Sequence, residues 1–116
     1  MSERNSILVL EDILQSIRNI FDYTHGISYE HFLSDDKTRD AVIRNFEIIG
    51  EAANRLGTDI KNENAFIDWK RLRGLRNRIV HDYMGIDYKI VWNIIQHFLP
   101  DLSDKIKLLL HTNPGE

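Results

Sequence analysis

The sequence predicts an all-α fold, a four- to five-helix antiparallel up-and-down bundle. Three observations carry this. Apolar residues recur at steps of three and four along most of the chain. No segment of useful length alternates with period two. Between the periodic stretches stand the residues that start and stop helices, Ser34-Asp35-Asp36, Gly57, Gly85 and Asp87. At 116 residues and 13.7 kDa, residues 1–116 read as one domain with an ordered core from about 5 to 110. No repeat or internal boundary is visible.

The first helix carries Ile7, Leu10, Leu14, Ile17 and Phe21 on one stripe and should end near His25-Gly26. A polar loop with Tyr29, His31 and Phe32 follows, up to Ser34-Asp35-Asp36, which offers an N-cap and acids for the next first turn. The second helix should run from about Asp36 to Leu56, burying Val42, Phe46, Ile49, Ala53 and Leu56. Thr58 to Asn64 reads as a loop. The third helix is expected from about Asp68 to Gly85. The fourth starts after an Asp87 cap and buries Val91, Ile95, Phe98, Leu102, Ile106 and Leu109. Pro100 removes one backbone donor from it and should kink or split it.

Composition excludes several functions. With no cysteine there is no disulfide scaffold, Cys-based metal centre or cysteine nucleophile. No apolar run approaches the roughly 20 residues of a membrane span. The N-terminal stretch, with Glu3, Glu11 and Asp12, lacks a signal-peptide pattern, so a cytoplasmic location without membrane contact is expected. His25 and His31 match no standard metal spacing, and Glu47 with Glu51 suits ion pairing with Arg44, Arg55 or Arg76 better than a metal; no metal or cofactor is expected. Trp69 and Trp92 read as core aromatics. Net charge is −3, yet Trp69 to His81 holds five of the fifteen Lys and Arg and no acid. An acidic chain with one basic stretch is suited to a phosphate-bearing partner.

The chemistry points to that stretch. On an ideal helix Arg76 falls about 40° from Leu72, between Tyr83 and Trp69, inside an apolar sector. A guanidinium there snorkels, pairs with an acid such as Glu47 or Glu51, or serves a site. A second face holds Arg73, Gly74, Asn77 and His81, with Asn77 spaced to orient the His81 imidazole. A histidine on such a face is either solvated or functional. Gly74 within a helix suggests close approach by another backbone or a ligand. Arg76 and His81 splay by about 140° on an ideal helix. Either the arginine reaches around, or two copies of the face meet across a two-fold axis.

At RNRIVHDY, Arg76 to Tyr83, the chain resembles the HEPN domains of the HepT-like group, whose signature is Arg, four residues, His, one residue, Tyr. The flanks agree: IGEAANRL (49–56), DWKRLRGLRN (68–77) and IDYKIVW (86–92). Asp68 stands where the group often has Pro, a difference that bears on the helix cap. The likeness covers Ile7 to about Leu110.

This resemblance implies a HEPN-like bundle, homodimeric through its motif helices, with higher assembly open, and metal-independent RNA endonuclease activity as the toxin of a toxin–antitoxin pair. It implies His81 as general acid/base, Arg76 as phosphate stabiliser and Asn77 as a supporting residue. Lys70, Arg71, Arg73 and Arg78 would line the RNA backbone, some of them only solvated. Tyr83 would accept AMP from a partner minimal nucleotidyltransferase (MNT) antitoxin, against a plain reading as a core tyrosine. The rival readings are a non-catalytic partner subunit of that MNT protein and a purely structural helical dimer.

Overall fold

The computed structural model describes residues 3–75, 80–81 and 85–112. Four longer helices make the bundle: α1 (Glu3–Thr24), α3 (Asp36–Arg55), α6 (Tyr88–His97) and α7 (Leu99–Thr112). Among the described residues, short helices connect them: α2 (Tyr29–Ser34), α4 (Thr58–Glu63) and α5 (Trp69–Arg73). α1 packs chiefly on α3; α7 lies against α1 and α6; α2 and α5 lie against α3. The all-α bundle is therefore the fold.

The expected stripes form the core. Leu10, Ile17, Val42, Ile49, Val91 and Ile106 are sealed from solvent. Ile13 and Ile20 join them, which widens the buried face of α1 beyond its single stripe. Asn45 is also buried; its Nδ2 donates to the Ala41 carbonyl at 2.8 Å, and its Oδ1 accepts from Asn19 Nδ2 at 3.2 Å. That pairing removes the cost of an unmet amide between α1 and α3.

The caps follow the sequence closely. Asp35 closes the start of α3, accepting from the Thr38 N–H at 3.1 Å and its hydroxyl at 2.8 Å. These bonds, with the nearby His31, hold the Asp35 carboxyl below its ordinary value of 3.8. Asp87 accepts from the N–H groups of Lys89 and Ile90 at the start of α6. Pro100 splits the last helix: α6 ends at His97, Phe98 breaks the run, and α7 starts one residue before the proline.

Two stretches read as loops are helical. In α2 the Ser28 hydroxyl caps the His31 N–H at 3.0 Å, and Phe32 is fully buried beside Trp92, 5.3 Å between ring centres. In α4 Ile60 packs on the core edge. Each has six residues, under two turns, too few for a periodic signal to show.

The third helix departs most from expectation. It does not run to Gly85. α5 ends at Arg73 with Gly74 as its C-cap, and two short strands, β1 (Val80–His81) and β2 (Gly85–Ile86), pair antiparallel. Gly85 takes φ +75°, which glycine reaches without the Cβ penalty and which suits the closing position of a hairpin. A two-residue ladder has no alternation to read, so the pattern search misses it.

Candidate functional site

The base of the site is α5. Asp68 caps it, its carboxylate accepting from the Arg71 N–H at 3.0 Å. Trp69 is buried and donates its indole N–H to the Asn64 carbonyl at 3.1 Å, locking the helix start to the α4–α5 connection. Leu72 and Leu75 are sealed in the core. The chain therefore enters the motif segment from a fixed anchor. Gly50 of α3 faces this seat, where an added Cβ would make ordinary contact with the Leu72 carbonyl at 3.9 Å.

The basic residues of α5 divide into two groups. Lys70 and Arg73 are exposed and make no ion pair with a described acid, free to meet an anion. Arg71 turns inward. Its guanidinium lies 4.1 Å from the Phe98 ring centre, and its Nε is buried without a hydrogen-bond partner. Its place is structural, tying α5 to the α6–α7 junction by cation–π contact. Of the residues expected along the RNA backbone, Arg71 is thus held against Phe98, while Lys70 and Arg73 are exposed. Trp92, half-buried against Phe32 and Tyr29, is a core-edge aromatic as expected.

His81 lies in β1, its backbone paired with Gly85. Its relation to Arg76 is thus not set by one continuous helix, and the 140° splay does not apply. Arg76, Asn77, Arg78 and Tyr83 lie outside the described residues. Gly74 is at a helix end and not inside a helix; a Cβ there would meet the Lys70 carbonyl at 3.3 Å, so its close neighbour is its own turn. Glu47 lies 3.9 Å from Arg44, in line with the ion-pair reading. His31 stands 3.8 Å from the Asp35 carboxylate.

Two clefts flank this region. One, about 380 Å³, is walled by Tyr29, Leu33, Ile86 and Tyr88 beside β2. The other, about 670 Å³, lies between α4 and α5 and is lined by Lys61, Phe66, Lys70 and Arg73. Burial, and next the Arg73 charge, push the Lys61 ammonium below its ordinary value. Lys61 and Phe66 carry no motif or periodic signal in the sequence. The sign available was a Lys eight or nine residues before the basic stretch and a Phe three before the buried Trp69.

The family model described as ribonuclease HepT-like matches residues 13–109, a span that contains the whole Arg76–Tyr83 motif. The chain belongs to the HepT-like ribonuclease family. A Thermococcus cleftensis protein named "Probable ribonuclease HepT" is 38% identical over 100 residues, covering 86% of this chain and 91% of the relative. A Methanocaldococcus jannaschii protein named "Putative RNase MJ0127" is 35% identical over 116 residues, all of this chain and 96% of that one. A Caldanaerobacter subterraneus protein named "Putative RNase TTE0752" is 35% identical over 101 residues, 87% of this chain and 90% of that one. No solved structure matches the chain. No described helix is long and apolar enough to cross a membrane.

Proposed function

We propose that this chain is a metal-independent endoribonuclease, the toxin of a HepT–MNT toxin–antitoxin pair. The observation that carries this is the Arg76-x4-His81-x-Tyr83 array in a chain of the HepT-like ribonuclease family, led by an anchored basic helix. RNA brings its own nucleophile, the 2′-hydroxyl, so neither a protein nucleophile nor a metal is required. His81, of a residue type with an ordinary pKa near 6.5, takes the 2′-hydroxyl proton as O2′ bonds to phosphorus. The P–O5′ bond breaks and the imidazolium returns a proton to O5′. The products are a 2′,3′-cyclic phosphate and a 5′-hydroxyl. Arg76 holds the extra negative charge of the phosphorane, Asn77 orients imidazole or substrate, and Lys70, Arg73 and Arg78 grip flanking phosphates. A cytoplasmic homodimer joined at the motif segments would set these groups together from two subunits.

Tyr83 is the acceptor for AMP from the MNT partner. The added phosphate places negative charge where RNA phosphate binds and closes the site.

The test is cleavage of RNA by the purified protein in chelator. We expect cyclic-phosphate products, loss of cutting in His81→Ala, and an AMP mass increment at Tyr83 after incubation with the MNT protein and ATP. Cutting that survives His81→Ala overturns the assignment. RNA left intact by a chain that binds the MNT protein makes it a non-catalytic partner subunit.

A further inference from the structure

The cleft between α4 and α5 lies outside the Arg76–Tyr83 motif, and Arg73 on its wall stands three residues before Arg76 in the sequence. Three cations line it, Lys61 from α4 and Lys70 and Arg73 from α5. None of the three forms an ion pair with a described acid. The one acid in the lining, Asp68, already accepts the Arg71 N–H. Positive charge is thus in excess here on a chain whose net charge is −3.

Phe66 adds what a charge patch alone lacks. It is 45% exposed, yet its neighbours are fixed. Ile67 is buried, its N–H bonded to the Asn64 carbonyl at 3.1 Å, and the same carbonyl accepts the Trp69 indole. The Asn64 side chain in turn donates to the Ile60 carbonyl at 2.9 Å. The ring is held outward on a braced connection, a flat apolar face among cations. That pairing of an aromatic platform with backbone-tracking cations is how unpaired nucleotides are held. A duplex, with its bases stacked inside, has no face to offer the ring. Burial and the Arg73 charge push the Lys61 ammonium below its ordinary value, and a phosphate between the two cations would relieve that repulsion.

We propose that the α4–α5 cleft is a subsite for single-stranded RNA, in which Phe66 stacks a base flanking the cleavage position and Lys61 joins Lys70 and Arg73 on the adjoining phosphates. The identity of the strand rests on the ribonuclease reading above; the cleft's capacity to bind it does not.

The experiment measures affinity of the uncut His81→Ala protein for a labelled single strand of about ten nucleotides. Phe66→Ala should weaken binding about tenfold, and Phe66→Trp should keep it. Lys61→Ala should weaken it several-fold and lower the salt dependence by about one phosphate's worth. Lys107→Ala, the same charge change on exposed α7, should stay within about twofold. A duplex of the same sequence should bind more weakly and be indifferent to Phe66→Ala. The proposal falls if the parent does not bind the strand, if Phe66→Ala binds as the parent does, or if Lys107→Ala costs as much as Lys61→Ala. If the cleft variants lose RNA while the wild-type chain never cuts it, the subsite stands and the nuclease reading falls. His81-dependent cutting with unchanged affinity in the cleft variants gives the opposite result.

Discussion

The four long helices and the segment from Thr58 to Ile86 hold their shapes by different means. In α1, α3, α6 and α7 a wide apolar face is buried over many turns, so side chains such as Leu10, Phe46, Ile49 and Ile106 fix each helix through several neighbours at once. The described residues of that segment form short elements pinned at single points: Trp69 and Leu72 in the core, the Asn64 carbonyl on the indole, the Arg71 guanidinium on Phe98. Phe66, Lys70 and Arg73 are exposed there, with Lys61 half-buried beside them. Stability is thereby concentrated in one region and binding chemistry in the other. Substitutions should separate the two.

The largest effect is expected from His81→Ala, a loss of about 10²–10⁴-fold in RNA cleavage. Its Tm should stay within about 2 °C of the wild type, as for a side chain that serves the reaction and not the core. A large fall in Tm would assign His81 to the scaffold and erase the contrast. Phe46→Ala is the counterpart in the bundle. Removing a ring that is 2% exposed should destabilise by about 3–5 kcal/mol, read in urea unfolding. Next comes Asp87→Ala, which frees two N–H groups at the start of α6 and should cost about 1 kcal/mol, a Tm drop of roughly 4 °C.

The smallest effect lies at Asp35. Its carboxyl pKa is lowered on folding by the Thr38 bonds, so its contribution is complete above the ordinary value of 3.8 and is lost as pH falls through the lower folded value. Asp35→Asn keeps a capping oxygen and removes the charge. The acid limb of its stability curve should therefore be slightly shallower than that of the wild type, with the neutral-pH Tm little changed.

The bundle was legible because its information is repeated. A stripe such as Val42, Phe46, Ile49, Ala53 and Leu56 states the same direction five times, and each of these residues is buried. The caps at Asp35 and Asp87 and the split at Pro100 were legible because they depend on one residue's local chemistry. The extent of the third helix was not. From Trp69 to Tyr83 the apolar spacing fits a helix, yet β1 pairs with β2 across a glycine at positive φ. Six-residue helices such as α2 and α4 were hidden for want of a second full turn.

The sequence by itself determined the all-α class, the stripes of α1, α3 and the α6–α7 run with its break at Pro100, the caps of α3 and α6, and the motif that ties the chain to its family. All of these are local or periodic, and locality is what one dimension preserves. Only the tertiary structure decided that Arg71 points at Phe98 while Lys70 and Arg73 do not, that Phe66 stands out of a braced connection, and that Lys61 comes within reach of Arg73. Those outcomes depend on where α4, α5 and the α6–α7 junction meet, and contacts between segments distant along the chain are set by packing, not by neighbours in sequence.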